Sequence, residues 1–157
     1  RKIGGIVMRG GFALAAKAVI IRGDKALVLR RSEKEIKKSY VNKDEPWDLP
    51  GGSVRYSESA AECLFREVRE ETSLGIRIVK PIRIFDAIKS RVHMTILIYV
   101  CEYRSGEVRL SEEHEKFYWV TAKEAEGLKL PPWMLRDINL AFGELEIRRK
   151  MRNRPRS

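Results

Sequence analysis

Three glutamates have the spacing of a metal-binding cluster. Glu67, Glu70 and Glu71 are spaced i, i+3 and i+4, so on a helix they share one face. On an ordinary surface helix their repulsion would cost about a few tenths of a kcal/mol per pair. Carboxylate oxygens are the ligands that Mg²⁺ and Mn²⁺ prefer. The spacing therefore predicts a Mg²⁺ or Mn²⁺ site, and Arg66 is placed to hold one carboxylate by a charge-assisted hydrogen bond.

A helix must carry these carboxylates, and its start is marked in the sequence. Ser59 followed three residues later by Glu62 is a capping-box pattern, so the helix should begin there. We expect it to end near Thr72. Residues at helical spacing predict its buried stripe, which comprises Ala61, Leu64, Phe65, Val68 and Thr72.

The segment around this helix resembles the signature box of the Nudix hydrolases, in their MutT-like form. The run that leads into it, Trp47–Gly52, is also similar to that family. The resemblance extends over roughly residues 13–141, and its specific part is 47–74. The matching residues are Gly52, Glu58, Arg66, Glu67, Val68, Glu70, Glu71 and Leu74.

One position departs from the family pattern, because Ser73 stands where the family has glycine. That glycine resembles a residue just beyond a helix end with φ > 0, where serine would cost roughly 1 kcal/mol. Alternatively, the helix runs on and Gly75 supplies the turn. The departure concerns the helix end rather than the carboxylates.

The pattern of elements and the resemblance agree on the fold class. Strands, one helix mid-chain and one at the end predict an α/β (α+β) protein with a mixed sheet between helices. This is the α/β/α sandwich that the resemblance implies. We expect one domain over residues 1–157, with 1–11 as a lead-in and 148–157 as a basic tail.

The resemblance implies metal-dependent cleavage of the pyrophosphate linkage in a nucleoside diphosphate joined to another group. Besides the three glutamates, it implies a metal contact from the backbone near Gly51 or Gly52. The general base in this family is a glutamate of the box or one from a later loop, where we favour Glu113 over Glu112 and Glu115.

Substrate contacts are predicted on two other segments. In the family, an arginine near the end of the second strand often faces the substrate phosphates, and here Arg30 or Arg31 could do so. Tyr40 lies in the long charged segment Ser32–Pro46, which we expect to be a loop, and could stack on a base.

Substrate identity is open within this class. The chain lacks the proline typical of ADP-ribose hydrolases and the tyrosine typical of dinucleoside polyphosphate hydrolases at their usual distances after the box. We therefore favour a nucleoside triphosphate, oxidised or non-standard ones included. The alternatives are ADP-ribose or a sugar nucleotide, a dinucleoside polyphosphate, RNA with a 5′ triphosphate or cap, and a silent module that binds nucleotide or RNA without turnover.

Charge and cysteine content limit the partners and the compartment. The net charge of +10 predicts attraction to polyanions, concentrated in the basic tail, which leaves nucleic-acid binding open but not favoured. No apolar run reaches the length of a membrane span, and no signal-peptide pattern opens the chain. Cys63 and Cys101 read as buried free thiols, so we expect a cytoplasmic protein. A homodimer remains open.

Several further expectations concern individual strands and side chains. We predict separate strands over residues 76–79 and 82–88, broken at Pro81, and a short strand over Val108–Leu110. Glu58 could support a metal ligand indirectly or favour the helix start through the dipole. His93 is expected to be structural, and His114 to be exposed in a loop.

Overall fold

The computed structural model describes residues 2–3, 6–7, 11–38, 44–89 and 91–155, so Tyr40 lies outside the described residues. In chain order the elements are β1 (Lys2–Ile3), β2 (Ile6–Val7), β3 (Gly11–Arg22), β4 (Lys25–Arg31), α1 (Glu33–Lys38), β5 (Trp47–Asp48), β6 (Gly51–Ser53), α2 (Ala60–Thr72), β7 (Gly75–Lys89), β8 (Val92–Ser105), β9 (His114–Val120), α3 (Ala122–Gly127) and α4 (Pro132–Arg152).

A mixed β-sheet forms the centre of the fold. Its strands follow the order β5-β4-β3-β8-β7, with β6 paired to β3 and β9 paired to β4. β3 and β8 run parallel from the pair Gly11 and Val92 to the pair Ile21 and Glu102, and the other pairs are antiparallel. The strongly apolar β8 is central, as its sequence predicts. β1 and β2 form a separate two-stranded pair.

Each face of the sheet packs against helices. Because side chains alternate along a strand, neighbouring residues of β3 enter different cores. Ala16, Ala18 and Ile20 pack with Leu64 and Val68 of α2. On the opposite face, Ala15, Val19 and Ile21 belong to the core that also contains residues of α3 and α4, among them Ala125, Met134 and Ile138. This arrangement confirms the predicted α/β/α sandwich.

A buried ion pair fixes α4 to the sheet. Asp137 is fully buried, and Arg83 of β7 donates to both of its carboxylate oxygens, with Nη2 2.7 Å from Oδ2. Such a two-point contact orients both groups. Among the described residues, no helix is long and apolar enough to cross a membrane, α4 included.

The prediction of an unstructured loop over Ser32–Pro46 is wrong for its first part, which forms α1. The Ser32 hydroxyl accepts a hydrogen bond from the Glu35 backbone N–H at 3.3 Å, which caps the helix. Acidic residues occupy the first turn and lysines the last, which suits the helix dipole. α1 buries no residue, so it has no apolar periodicity from which it could be predicted.

Two strand predictions are also wrong. β7 is one strand across Pro81, because its pairing with β8 absorbs the proline through register shifts on either side. Residues 108–110 form no strand. Instead, the N–H groups of Arg109 and Ser111 donate to the carbonyls of Thr72 and Glu71, at 2.9 and 3.3 Å. They satisfy carbonyls at the end of α2 that have no partner within the helix.

Candidate active site

Helix α2 carries the box glutamates and begins as predicted. Ser59 is its N-cap, and its hydroxyl accepts from the Glu62 N–H at 3.1 Å. The Glu62 carboxylate accepts from the Ser59 N–H at 2.7 Å, which completes the capping box. The register of every glutamate on α2 is therefore fixed from this end.

Ser73 ends α2 in the left-handed conformation, with φ 63° and ψ 12°. Its N–H donates to the Arg69 carbonyl at 2.9 Å. Gly75 instead opens strand β7, so the alternative in which it supplies the turn is wrong. The helix ends at Thr72, as predicted.

The buried stripe of α2 is rotated relative to the prediction. Ala61 is exposed and Phe65 is 47% exposed, so both predictions are wrong. Their places are taken by Cys63 and Glu71, which are buried with Leu64, Val68 and Thr72. A carboxylate can face the interior here because the backbone of the turn between β5 and β6 offers it a donor.

That donor is the N–H of Gly51, which lies 3.2 Å from Oε2 of Glu71. Gly51 has φ +143°, and a side chain there would overlap the Ala16 carbonyl, so only glycine allows this approach to β3. Burial raises the pKa of the Glu71 carboxyl well above its ordinary value. The charge of Asp48 adds to the rise, and the ammonium of Lys17 opposes it.

Glu67 lies under the next residue of the same turn. A Cβ added to Gly52 would stand 2.6 Å from the carboxyl carbon of Glu67, so the lack of a side chain lets the turn lie directly on this carboxylate. Glu70, by contrast, is exposed. The three glutamates thus share one side of the helix but differ sharply in their surroundings.

Arg66 connects the carboxylates of this helix. Its Nη1 lies 2.7 Å from Glu67 and 3.4 Å from Glu70. Its Nε and Nη2 donate to both oxygens of Glu58, at 2.6 and 3.0 Å. Hydrogen bonds from Arg66 and from the Arg55 backbone lower the pKa of Glu58 to about 2. Glu58 therefore holds Arg66, which in turn orients Glu67.

Glu113 approaches the site from the segment before β9. A carboxylate oxygen of Glu113, one of Glu71 and one ring nitrogen of His114 all lie within 4.8 Å of one another. Partial burial raises the pKa of the Glu113 carboxyl, and the charges of Glu35 and Glu67 contribute. All three glutamates considered there are exposed, but Glu113 belongs to this group, whereas Glu115 pairs with Arg30 at 3.2 Å.

The prediction of an exposed His114 is wrong, because the residue is 4% exposed and opens strand β9. Its Nε2 lies 3.0 Å from Oδ2 of Asp48, which is also buried. Lys17 donates to the other oxygen of Asp48 at 3.0 Å. Sequence reasoning missed this group, although a lone lysine within the apolar run of β3 was a usable signal.

Comparison with known proteins decides the family. The family model described as the NUDIX domain matches residues 11–140 of this chain. The chain belongs to the Nudix family.

Curated Nudix relatives include nucleoside triphosphatases named NudI. The one from Enterobacter sp. (strain 638) is 33% identical over 54% of this chain and 67% of its own length. The one from Escherichia coli O139:H28 (strain E24377A / ETEC) is 30% identical over 50% of this chain and 63% of its own length. Over these stretches the chain spans about two thirds of the relatives it matches.

Solved structures support the same Nudix fold. A MutT protein from Methanosarcina mazei Go1 is 27% identical, with a TM-score of 0.70 over 88% of this chain and 98% of that one. An Ap4A hydrolase from C. elegans is 19% identical, with a TM-score of 0.68 over 85% of this chain and 98% of that one. As a member of this family, the chain is a Nudix pyrophosphohydrolase that acts on nucleoside diphosphate derivatives.

Nudix hydrolases use divalent metal ions, and the donor set of this chain fits such an ion. Glu71 and Glu113 supply carboxylate oxygens close together, and Glu67 adds a third carboxylate beside the Gly51–Gly52 turn. Hard divalent cations favour such oxygen-rich sets. A cation would also offset the cost of burying the Glu71 charge.

The predicted substrate residues differ in their accessibility. The Arg30 side chain is 42% exposed, with its guanidinium 5.7 Å from the centre of the Trp47 ring. Arg31 is buried, and its Nε lies 3.5 Å from Oδ2 of Asp48. Of the two side chains, that of Arg30 is therefore the more accessible.

Proposed function

We propose that this Nudix hydrolase converts a nucleoside triphosphate, oxidised and non-standard ones included, to the monophosphate and pyrophosphate with Mg²⁺ or Mn²⁺. The observation that carries the proposal is that Glu67 and Glu71 both lie against the Gly51–Gly52 turn, with the Glu113 carboxylate within 4.8 Å of that of Glu71. The nucleoside triphosphatases among the relatives support this substrate over ADP-ribose, sugar nucleotides, dinucleoside polyphosphates and RNA ends.

In this proposal Glu67, Glu70, Glu71 and the Gly52 carbonyl hold the metal. When bound, a divalent ion neutralises phosphate charge and lowers the pKa of the attacking water. Arg66 fixes Glu67 through its 2.7 Å contact. Catalysis of this kind depends chiefly on positioning and on charge stabilisation, so the rigidity of these contacts matters.

Glu113 acts as the general base in this scheme. Its raised pKa brings the carboxyl closer to the working pH, where a base is most effective. Arg30 binds the phosphates, and Arg31 supports the site from behind through Asp48. Tyr40, assigned to base stacking from the sequence, lies outside the described residues.

The remaining proposals concern the whole chain. We place it in the cytoplasm, because Cys63 and Cys101 are both free and buried. We treat residues 1–157 as one domain that works on a small nucleotide. Nucleic-acid binding and a homodimer are not part of the proposal.

A substrate panel tests the proposal directly. The protein is incubated with Mg²⁺ and nucleoside triphosphates, ADP-ribose, a sugar nucleotide, a dinucleoside polyphosphate and 5′-triphosphorylated RNA. The nucleotide products of each reaction are separated and measured by chromatography, together with any pyrophosphate and phosphate released. We expect pyrophosphate from a triphosphate. Stronger turnover of another substrate would overturn the substrate assignment, and nucleotide binding without turnover would favour a silent module.

Substitution of the glutamates tests the site. We expect Glu70→Gln and Glu71→Gln to lower kcat by about a hundredfold or more, since metal-ion catalysis is worth several kcal/mol. Circular dichroism should show folded proteins. Glu146→Gln, on the exposed face of α4, is the matched control and should behave as wild type. Near-normal rates for both site variants at saturating Mg²⁺ would refute the assignment.

A further inference from the structure

A buried network of hydrogen-bonded polar groups lies behind the candidate site and joins three of its segments. Asp48 is its centre: Oδ1 accepts from Lys17 at 3.0 Å and from the Leu49 N–H at 2.9 Å, while Oδ2 contacts His114 at 3.0 Å. Lys17 lies on β3, Asp48 on β5 and His114 at the start of β9. None of these three residues belongs to the signature box.

Lys17 uses its whole hydrogen-bonding capacity on one turn. Besides Asp48, its ammonium donates to the carbonyls of Leu49 and Gly51, at 3.2 and 3.3 Å. A lysine ammonium has three donors, so all are engaged. Gly51 is thereby held from both sides, since its N–H donates to Glu71. The position of the turn and that of the Glu71 carboxylate are thus coupled.

His114 holds the segment that carries Glu113, at the start of β9. It adjoins Glu113, and its ring has one hydrogen-bonded contact among the described residues, from Nε2 to Asp48, while Nδ1 is buried without a partner. The orientation of the ring therefore depends on Asp48. The backbone beside His114 is also held, because the Glu113 carbonyl accepts from the Ser32 N–H at 2.9 Å.

The charges of Lys17 and Asp48 explain why this network of polar groups is tolerated in the interior. Burial lowers the pKa of the Lys17 ammonium, but the carboxylates of Asp48 and Glu71 more than offset this and leave it raised. Burial would raise the pKa of Asp48, but Lys17, His114 and Arg31 hold it well below its ordinary value. Asp48 and Lys17 thus remain an ion pair, which is what a buried pair needs to be tolerated.

We propose that Lys17, Asp48 and His114 form a positioning tie that holds the Gly51–Gly52 turn and Glu71 in the arrangement that binds the metal, and keeps Glu113 beside them as the general base. The inference rests on the proposed function. The tie acts through hydrogen bonds to residues of the site, and none of its members is assigned contact with the reacting atoms. Removing outer partners of metal ligands typically lowers metal affinity or activity by about 10- to 100-fold.

The test measures Mn²⁺ binding directly, from the electron paramagnetic resonance signal of free Mn²⁺, together with kcat and KM. We expect Lys17→Met to weaken Mn²⁺ binding and to lower kcat at least about tenfold, with the KM for nucleotide changed less than about threefold. Lys80→Met is the matched control, because Lys80 is a strand lysine with a surface ion pair at 3.5 Å and should behave as wild type.

A second pair of variants covers the case in which Lys17→Met fails to fold. Glutamine can donate from the position of Nε2, so His114→Gln should retain Mn²⁺ affinity within about threefold, whereas His114→Leu should lose at least about tenfold. Equal losses in both would overturn the proposal, since the ring itself rather than its tie to Asp48 would then be required.

Two results separate this proposal from the proposed function. If wild type turns over nucleotide and the Lys17 and His114 variants bind Mn²⁺ normally, the tie is refuted and the function stands. If wild type binds Mn²⁺ without hydrolysing any nucleotide, the function fails, while the variants still show whether the tie sets metal affinity. A loss of thermal stability with unchanged Mn²⁺ binding would also refute the tie.

Discussion

At the scale of single residues, the site is defined by how differently three similar glutamates are surrounded. Glu70 is exposed, Glu67 is covered by Gly52, and Glu71 is buried beneath Gly51. Helical spacing places them on one side of α2 but cannot show which of them faces the interior. That depends on the turn between β5 and β6, which approaches α2 because glycines leave room for it.

The buried charge of Glu71 should make the metal-free protein less stable as pH rises. The folded-state pKa is raised above the ordinary value of 4.5, so between these two values the unfolded chain releases a proton that the folded protein retains. Stability is thus fully present below about pH 4.5 and is lost as pH rises through the folded pKa. Asp48 shifts in the opposite direction, so its contribution is lost only at lower pH.

Glu71→Gln removes this dependence while leaving an oxygen for the Gly51 N–H. In EDTA, urea unfolding from pH 4.5 to 8 should show a gain in unfolding free energy for the variant that grows with pH and then levels off. Glu146→Gln is the control: its carboxylate has a lowered pKa, chiefly through hydrogen bonding to Arg149, so it should show no such gain. A gain that does not vary with pH would contradict the explanation.

At the scale of elements, helix α2 positions the site through its two ends. The capping box fixes the first turn, and Ser73 stops the helix in a left-handed conformation that serine adopts only at a cost. The loop before β9 then donates to the last carbonyls of α2, so the helix end and Glu113 belong to one connected unit.

Ser73→Gly should stabilise the protein by up to ~1 kcal/mol, because glycine has no Cβ penalty at φ 63°. The greater freedom of glycine in the unfolded chain reduces the gain. Ser73→Ala keeps the Cβ and serves as the matched control, so it should bring no comparable gain. Chemical denaturation of the three proteins provides the comparison, and a destabilised Ser73→Gly would show that the serine hydroxyl contributes more than its strain costs.

The sequence predicts most of the helices and strands correctly, but it fails where contacts between distant parts of the chain determine which side chains are buried. The helix of the box, its capping box at Ser59 and the interior position of β8 depend on local patterns and are confirmed. The buried His114 could not be predicted, because only the fold brings it to Asp48, 66 residues away. Phe65 is exposed for a related reason: periodicity gives the width of a buried stripe, whereas its direction depends on the partner surface.

At the scale of the molecule, the terminal helix is joined to the sheet by the Arg83–Asp137 pair. Asp137→Ala leaves the Arg83 guanidinium without its buried partner, so we expect a loss of about 3–5 kcal/mol in unfolding free energy. Glu144→Ala, which removes surface pairs with Lys80 and Arg148, should cost about 1 kcal/mol or less. Similar losses of unfolding free energy in the two variants would contradict the expectation that the buried ion pair matters more for stability than the surface pairs.

The basic end of the chain is predicted to be dispensable for small substrates. α4 continues to Arg152, so part of the predicted tail is helical, and Arg149 and Lys150 both pair with Glu146 on the same helix. Removing residues 148–157 should leave kcat/KM on a free nucleotide almost unchanged. If the tail binds nucleic acid, the truncation should also flatten the salt dependence of that binding. A large fall in kcat/KM would instead show that the last turns shape the pocket.

The parallel pairing of β3 with β8 also determines when the sheet can be completed during synthesis. Gly11 and its partner Val92 are 81 residues apart. Residues 47–74, which contain β5, β6 and helix α2, lie between them. At about 5–20 residues per second, a ribosome needs roughly 4–16 s to cover that distance. During this interval β3 can form its hairpin with β4. The backbone N–H and C=O groups on its other edge have no partner strand. The nascent chain is therefore most exposed to aggregation before β8 emerges, and Glu113, which follows β8 in the sequence, is synthesised only afterwards.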